Sequence, residues 1–165
     1  MSNRDAEKLL AGFVSAYDAP IAKQARAILK RLRARCHGAL ELVYDNYNAL
    51  AIGFSPTERA SDVILSIALY PRWISLFFLH GKGLPDPGRK LKGAGSRVRH
   101  IVLGGAEDLD DPAVSALISA ALDAARVPLD PAQKWQLIVK SVSAKQRPRR
   151  PAHDRAPLPQ QPQRR

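Results

Sequence analysis

Two apolar runs, Val63–Tyr70 and Trp73–Leu79, are separated only by Pro71-Arg72. Each is the length of one strand and too short for a buried helix, so together they read as a β-hairpin. Pairing across a two-residue loop sets Leu65 against Phe78, Ile67 against Leu76 and Leu69 against Ile74. Val63, Leu65, Ile67, Leu69, Ile74, Leu76 and Phe78 then share one face, the core face. The other face carries Ile64, Ser66, Ala68, Tyr70, Trp73, Ser75, Phe77 and Leu79. Proline fixes φ near −65°, which misfits the primed turns of tight hairpins and argues for a loop one or two residues longer.

Helical periodicity precedes this hairpin. Ala6, Leu9, Leu10, Phe13, Val14 and Tyr17 form a stripe over residues 4–17. Asp18-Ala19-Pro20 ends that helix and starts a second, which runs to about Arg35 with Ile21, Ala25, Ile28, Leu29 and Leu32 on its apolar side. Gly38 closes it. Residues 40–54 alternate as a strand, interrupted at Asp45-Asn46 by turn chemistry. Residues 81–96 hold five glycines and two prolines and predict a long loop, and Val98–Leu103 a strand. Asp111-Pro112 pairs a capping residue with a first-turn proline, and Val114, Leu117, Ile118, Ala121 and Leu122 continue at helical spacing. Trp135–Val142 reads as a last, edge strand.

Beyond Ala144 the chain turns to Arg, Pro and Gln and has almost nothing to bury, so order is expected to end near Gln146. The resulting division is a helical extension over 1–19, a domain over 20–143 and a disordered basic tail over 144–165. The fold class is α+β: an antiparallel sheet of five to six strands with helices packed on one face. Its other face is then open and carries Tyr70, Trp73 and Phe77. The competing arrangement packs these rings under the N-terminal helix.

The net charge of +11 is concentrated in stripes. Lys23, Arg26, Lys30, Arg31, Arg33 and Arg35 crowd the second helix without an acid. Lys82, Arg89, Lys90, Lys92, Arg97 and Arg99 surround Asp86, and the tail adds more arginines. Such stripes attract anions or nucleic acid, or serve only as solvated faces. Lys145 and Arg147 are also placed to meet the acids at Glu107–Asp111. One cysteine, Cys36, cannot form an internal disulfide and fits the cytoplasm. No apolar stretch is long enough for a membrane helix, and no signal peptide pattern opens the chain.

No catalytic pattern occurs. The histidines lack metal-ligand spacing, there is no nucleophile elbow, and Cys36 beside His37 reads as a partly buried structural thiol. Gly93-Ala-Gly95-Ser-Arg97 precedes a strand, which excludes a P-loop, although flexible amides beside Lys92, Arg97 and Arg99 suit a phosphate or carboxylate. The string Tyr44-Asp-Asn-Tyr-Asn48 places Tyr44, Asn46 and Asn48 on one strand face. These side chains either bind a polar ligand or satisfy backbone around a bulge.

The strings Glu41-Leu-Val-Tyr-Asp-Asn-Tyr-Asn48, Ser66-Ile-Ala-Leu-Tyr-Pro71, Gly93-Ala-Gly95, Arg99-His-Ile-Val-Leu103 and Leu109-Asp-Asp-Pro-Ala-Val114 resemble the YdhG-like superfamily of bacterial domains of unknown function. The resemblance covers roughly Pro20 to Ala125. It implies a compact α+β domain with an antiparallel sheet like that of frataxin, one branch being regarded as iron chaperones. Frataxins hold iron on an acidic ridge of their first helix. The matching helix here is basic and repels ferrous iron, which disfavours that activity.

These readings converge on a cytoplasmic, non-catalytic binding domain for a small anionic or polar ligand, with no cofactor, no metal site and no membrane partner. Its site is expected where Tyr44, Asn46, Asn48 and Tyr70 meet Lys92, Arg97, Arg99 and His100. The alternative is weak, sequence-independent nucleic-acid association through Arg26, Arg33, Arg147, Arg149 and Arg150, with Trp73 as a stacking group.

Overall fold

The computed structural model of the chain describes residues 1–152. It is an α+β fold of three α-helices and a six-stranded sheet. The order along the chain is α1 (Asn3–Ser15), α2 (Ala19–Arg35), β1 (Leu40–Asp45), β2 (Leu50–Ser55), β3 (Leu65–Leu69), β4 (Ile74–Phe78), β5 (Arg99–Leu103), α3 (Pro112–Ala124) and β6 (Gln136–Val142). Strands lie in the order β5-β4-β3-β2-β1-β6.

The β3–β4 register is the one read from the sequence, with Leu65 opposite Phe78 and Leu69 opposite Ile74. The loop is no longer than Pro71-Arg72, closed by the Tyr70 amide donating to the Trp73 carbonyl (2.9 Å). Alternation from Leu65 to Phe78 delivers six fully buried side chains to one face. Val63 departs from that pattern. It lies before the strand and joins Leu40 and Leu42 on the opposite face, while Ile64 enters the main core instead. Gly53 makes the room: a Cβ there would stand 2.9 Å from Val63 Cγ1.

The sheet is antiparallel, as expected, except at one edge, where β6 pairs parallel to β1. After β5 the chain passes through α3 and returns along the other edge, so it enters β6 from the same end as β1. Lys140 is the bulged residue, between the pairs Val43–Val139 and Tyr44–Ser141. The edge strand is held laterally as well. Asn3 at the start of α1 donates through Nδ2 to the Trp135 carbonyl (3.2 Å) and accepts from the Leu137 amide (3.0 Å).

The helices form for the reasons their sequences indicate. Ser2 caps α1 by accepting from the Asp5 amide, and Asp111 caps α3 by accepting from Ala113 and Val114. Gly38, at φ +83°, turns the chain out of α2 where a side chain would collide with the Asp130 carbonyl. The buried residues of all three helices belong to one apolar cluster with the core-facing side chains of the strands.

The N-terminal helix is part of that core and not an extension of it. Ala6, Leu10 and Val14 are buried, and Leu9, from the same stripe, is exposed. Tyr17 is buried at its end, donating to the Leu69 carbonyl (2.8 Å) and accepting from the Leu50 amide (3.1 Å). Because α1 lies on the core side, it does not cover Trp73, which is 43% exposed.

The chain also stays packed past Gln146. The Arg147 amide donates to the Tyr47 carbonyl (2.8 Å), and Arg149 and Pro151 are buried. The end of the packed segment therefore falls later than composition suggested. The remainder of the expected tail, from His153 onward, lies outside the described residues. No described helix is long and apolar enough to cross a membrane.

Candidate functional site

In β1, Glu41 and Asp45 alternate in phase with Val43, so their carboxylates point into the helix-covered core. A buried carboxylate requires a partner. Arg33 of α2 reaches Glu41 in bidentate fashion (2.7 and 2.9 Å), and Trp135 Nε1 donates to the same carboxylate. The pairing raises the pKa of Arg33 against the opposing effect of burial. Arg149 reaches Asp45 (2.8 Å), and both side chains are more than nine-tenths buried. The guanidinium also lies over the Tyr17 ring at 5.8 Å. Burial pushes the Tyr17 pKa up, and the Arg149 charge partly offsets that.

The Arg149–Asp45 pair fixes residues 143–151 as a strap across one end of the sheet. Ser143 and Gln146 both donate to the Asp45 carbonyl (2.9 and 3.2 Å), and Arg150 Nε donates to the Ala16 carbonyl (3.3 Å). The strap passes beside the β3–β4 hairpin tip. Between the two lies a groove of about 650 Å³, lined by Tyr70, Arg72 and Trp73 on one side and Arg147, Arg150 and Pro151 on the other. Trp73 stacks on Tyr70 with ring centroids 4.7 Å apart and planes inclined by 19°.

This groove shares Asn48 and Tyr70 with a second, of about 560 Å³, on the sheet face that the helices leave open. Small residues of the central strands, Ala51, Ser66 and Ala68, make its floor, and Phe77 and Leu79 form a wall. Asn46, Tyr47 and Asn48 of the β1–β2 loop stand at its end. Arg147 lies over the Tyr47 ring at 5.6 Å.

Of the residues anticipated as ligand contacts, Asn46, Asn48 and Tyr70 are brought together in this way. Tyr44 faces the same side, but its hydroxyl is buried with no described hydrogen-bond partner, and burial raises its pKa. Lys92, Arg97, Arg99 and His100 stand elsewhere. β1 and β5 are four strand spacings apart, roughly 19 Å. Lys92 and His100 form a backbone bridge, and His100 lies 5.4 Å from the Phe77 ring. Arg99 is committed to the carbonyls of Gly95 (2.6 Å) and Val98 (2.8 Å). Arg97 borders a different cavity, of about 300 Å³, beside Phe78 and Ala121.

The nucleic-acid candidates divide similarly. Trp73, Arg147 and Arg150 share the strap groove. Arg33 and Arg149 are spent on buried carboxylates, and Arg26 is exposed on α2 and lines neither groove. Lys145 and Arg147 do not reach the acids before α3. There Asp110 pairs with Arg31, Asp108 accepts from the Gly104 amide, and Asp111 is the cap. Sequence reading missed Arg72, although a cation at a hairpin tip beside an unburied tryptophan is a legible signal. It also missed the two core carboxylates, whose signal is acid at every fourth position in phase with Val43.

Cys36 is buried, and burial pushes its thiol up to about 12, so it stays protonated and unreactive at neutral pH. No protein-family model matches the chain, and no curated protein or solved structure matches it.

Proposed function

We propose that this chain is a non-catalytic binding domain for a small anionic or polar ligand, seated in the groove between the hairpin tip and the 143–151 strap. One observation carries the reading. Arg72, Arg147 and Arg150 converge there beside the stacked Tyr70–Trp73 pair, and no carboxylate is among the lining residues. Guanidinium forks suit carboxylate and phosphate, and the rings supply an apolar wall. Burial raises the Tyr70 pKa, so its hydroxyl stays protonated and available as a donor. The site replaces the one expected from the sequence by exchanging Lys92, Arg97, Arg99 and His100 for Arg72, Arg147 and Arg150. The resemblance to YdhG-like bacterial domains is retained as part of this proposal, as is a cytoplasmic setting.

Thermal denaturation with phosphate, pyrophosphate and citrate tests it. At ten times its Kd a ligand stabilises by about 1.4 kcal/mol, a rise of roughly 3–6 °C for a chain of this size. Arg72→Gln/Arg147→Gln should lose that rise while unfolding normally without ligand. An equal rise in the variant removes the site assignment.

A further inference from the structure

The strap groove is not a closed compartment. On one side it runs through Asn48 and Tyr70 into the groove over the open sheet face. On the other it meets a third groove, lined by Gln24, Val102, Gly104 and one carboxylate, Asp18, across Pro71, Arg72, Trp73 and Pro151. The three follow one another around the hairpin tip as a single track. Two exposed rings stand along it: Trp73, 43% exposed, and Tyr47, 49% exposed. Arg147 lies over the Tyr47 ring, and Arg72 lines the same two grooves as Trp73. Between the rings the side-chain amides of Asn46 and Asn48 are exposed and make no hydrogen bond to described residues.

A small anion would occupy one part of such a track. The alternation of aromatic faces, guanidinium groups and free amides instead repeats the chemistry of a polymer that carries a π-face and a phosphate in every unit. We infer that the track takes single-stranded nucleic acid, with bases stacking on Trp73 and Tyr47 and phosphates meeting Arg72, Arg147 and Arg150. This inference rests on the groove proposed above and goes beyond its small anion to a polymer of anionic units. Stacking on an exposed ring requires an unpaired base, which selects a single strand over a duplex. Stacking on a ring and pairing with phosphates carry little information about base identity, so little sequence preference is expected. Arg33 and Arg149, spent on Glu41 and Asp45, take no part.

Fluorescence anisotropy with labelled ten-nucleotide oligo-dT and oligo-U, and a duplex of equal length, tests the inference on the full chain. Both single strands should bind more tightly than the duplex, and the ratio between them tells DNA from RNA as the preferred source. Trp73→Ala should weaken binding about 5- to 150-fold, and Trp73→Phe should recover most of the loss. Neutralising about three phosphates predicts a roughly 20-fold loss between 50 and 200 mM salt. Lys82→Gln/Arg89→Gln, which removes the same charge from residues that line none of the three grooves, should change affinity less than Arg72→Gln/Arg150→Gln does. If Trp73→Ala does not fold, Tyr47→Leu in the exposed β1–β2 loop carries the same expectation. Equal loss from the two double variants, or duplex binding as tight as single-strand binding, overturns the inference. Stabilisation by pyrophosphate without oligonucleotide binding overturns it and leaves the small-anion reading standing. Failure of both probes removes both.

Discussion

Arg149 shows how much one side chain can decide. Its sequence neighbours, Arg147-Pro148 and Arg150-Pro151, read as a solvated basic run, yet its guanidinium is buried against Asp45, with the Tyr47 and Asn46 carbonyls accepting two more of its N–H groups. Removing one partner of a buried pair leaves an uncompensated charge. Arg149→Ala should therefore cost about 3–5 kcal/mol in urea unfolding, and Asp45→Asn in the same chain should return part of it. A loss under 1 kcal/mol would show that Asp45 is solvated without its partner. Cys36 gives a pH dependence with a definite sign. Its thiol titrates near 9.0 when unfolded and about 12 when folded. Across pH 9 to 12 the unfolded chain releases a proton that the folded chain keeps, so stability falls as pH rises and is unaffected below pH 9. Tyr17, Tyr44 and Tyr70, also raised above the ordinary 10.0 chiefly by burial, add to the same alkaline loss. Unfolding midpoints from pH 8 to 11 should fall less steeply in Cys36→Ala, and a thiol reagent at pH 8 should label the native protein only as fast as it unfolds.

At the scale of elements, the hairpin and the parallel edge strand have different origins. The β3–β4 register follows from alternation, because slipping by one residue would carry six buried apolar side chains to the open face. β6 pairs parallel because the preceding α3 returns the chain along the opposite edge, and its own sequence holds no record of that direction. The open face is built by small residues. Gly53 faces Val63, and a methyl there would meet Val63 Cγ1 at 2.9 Å. A β-branched side chain in a packed cluster has little freedom to yield, so Gly53→Ala should destabilise by about 1–3 kcal/mol. Combining it with Val63→Ala should restore part of the loss in chemical denaturation. If Gly53→Ala is neutral on its own, the loop before β3 is free to move outward.

Across the whole molecule, the segment after α1 and the 143–151 strap close one end of the sheet. Tyr17 after α1 bonds the β2 and β3 backbones, Arg149 lies over its ring, and Arg150 bonds the end of α1. A chain ending at Gln146 should therefore be less stable than one ending at Ala152, by about the 3–5 kcal/mol expected for orphaning Asp45. Matched thermal melts of the two truncations check this. Equal melting temperatures would mean that the strap contributes nothing to the fold. The same contacts place Arg147 and Arg150 opposite the hairpin tip, so the shorter chain should also lose any anion response.

The α+β class, the two N-terminal helices, the hairpin register and the capped third helix were legible from residue type and spacing alone. Each depends on short-range forces: periodicity, capping geometry and turn chemistry act within a few residues. The direction of β6 was not legible, nor was the burial of Arg149 and Pro151, nor the separation of Lys92 and Arg99 from Tyr44. Those depend on which segments meet after long connections close. Arg149 is an ordinary tail arginine until the strap passes Asp45, a carboxylate 104 residues earlier that the strand pattern had already turned inward. The sequence supplied both charges, and only the tertiary structure could bring them together away from water, where pairing becomes obligatory.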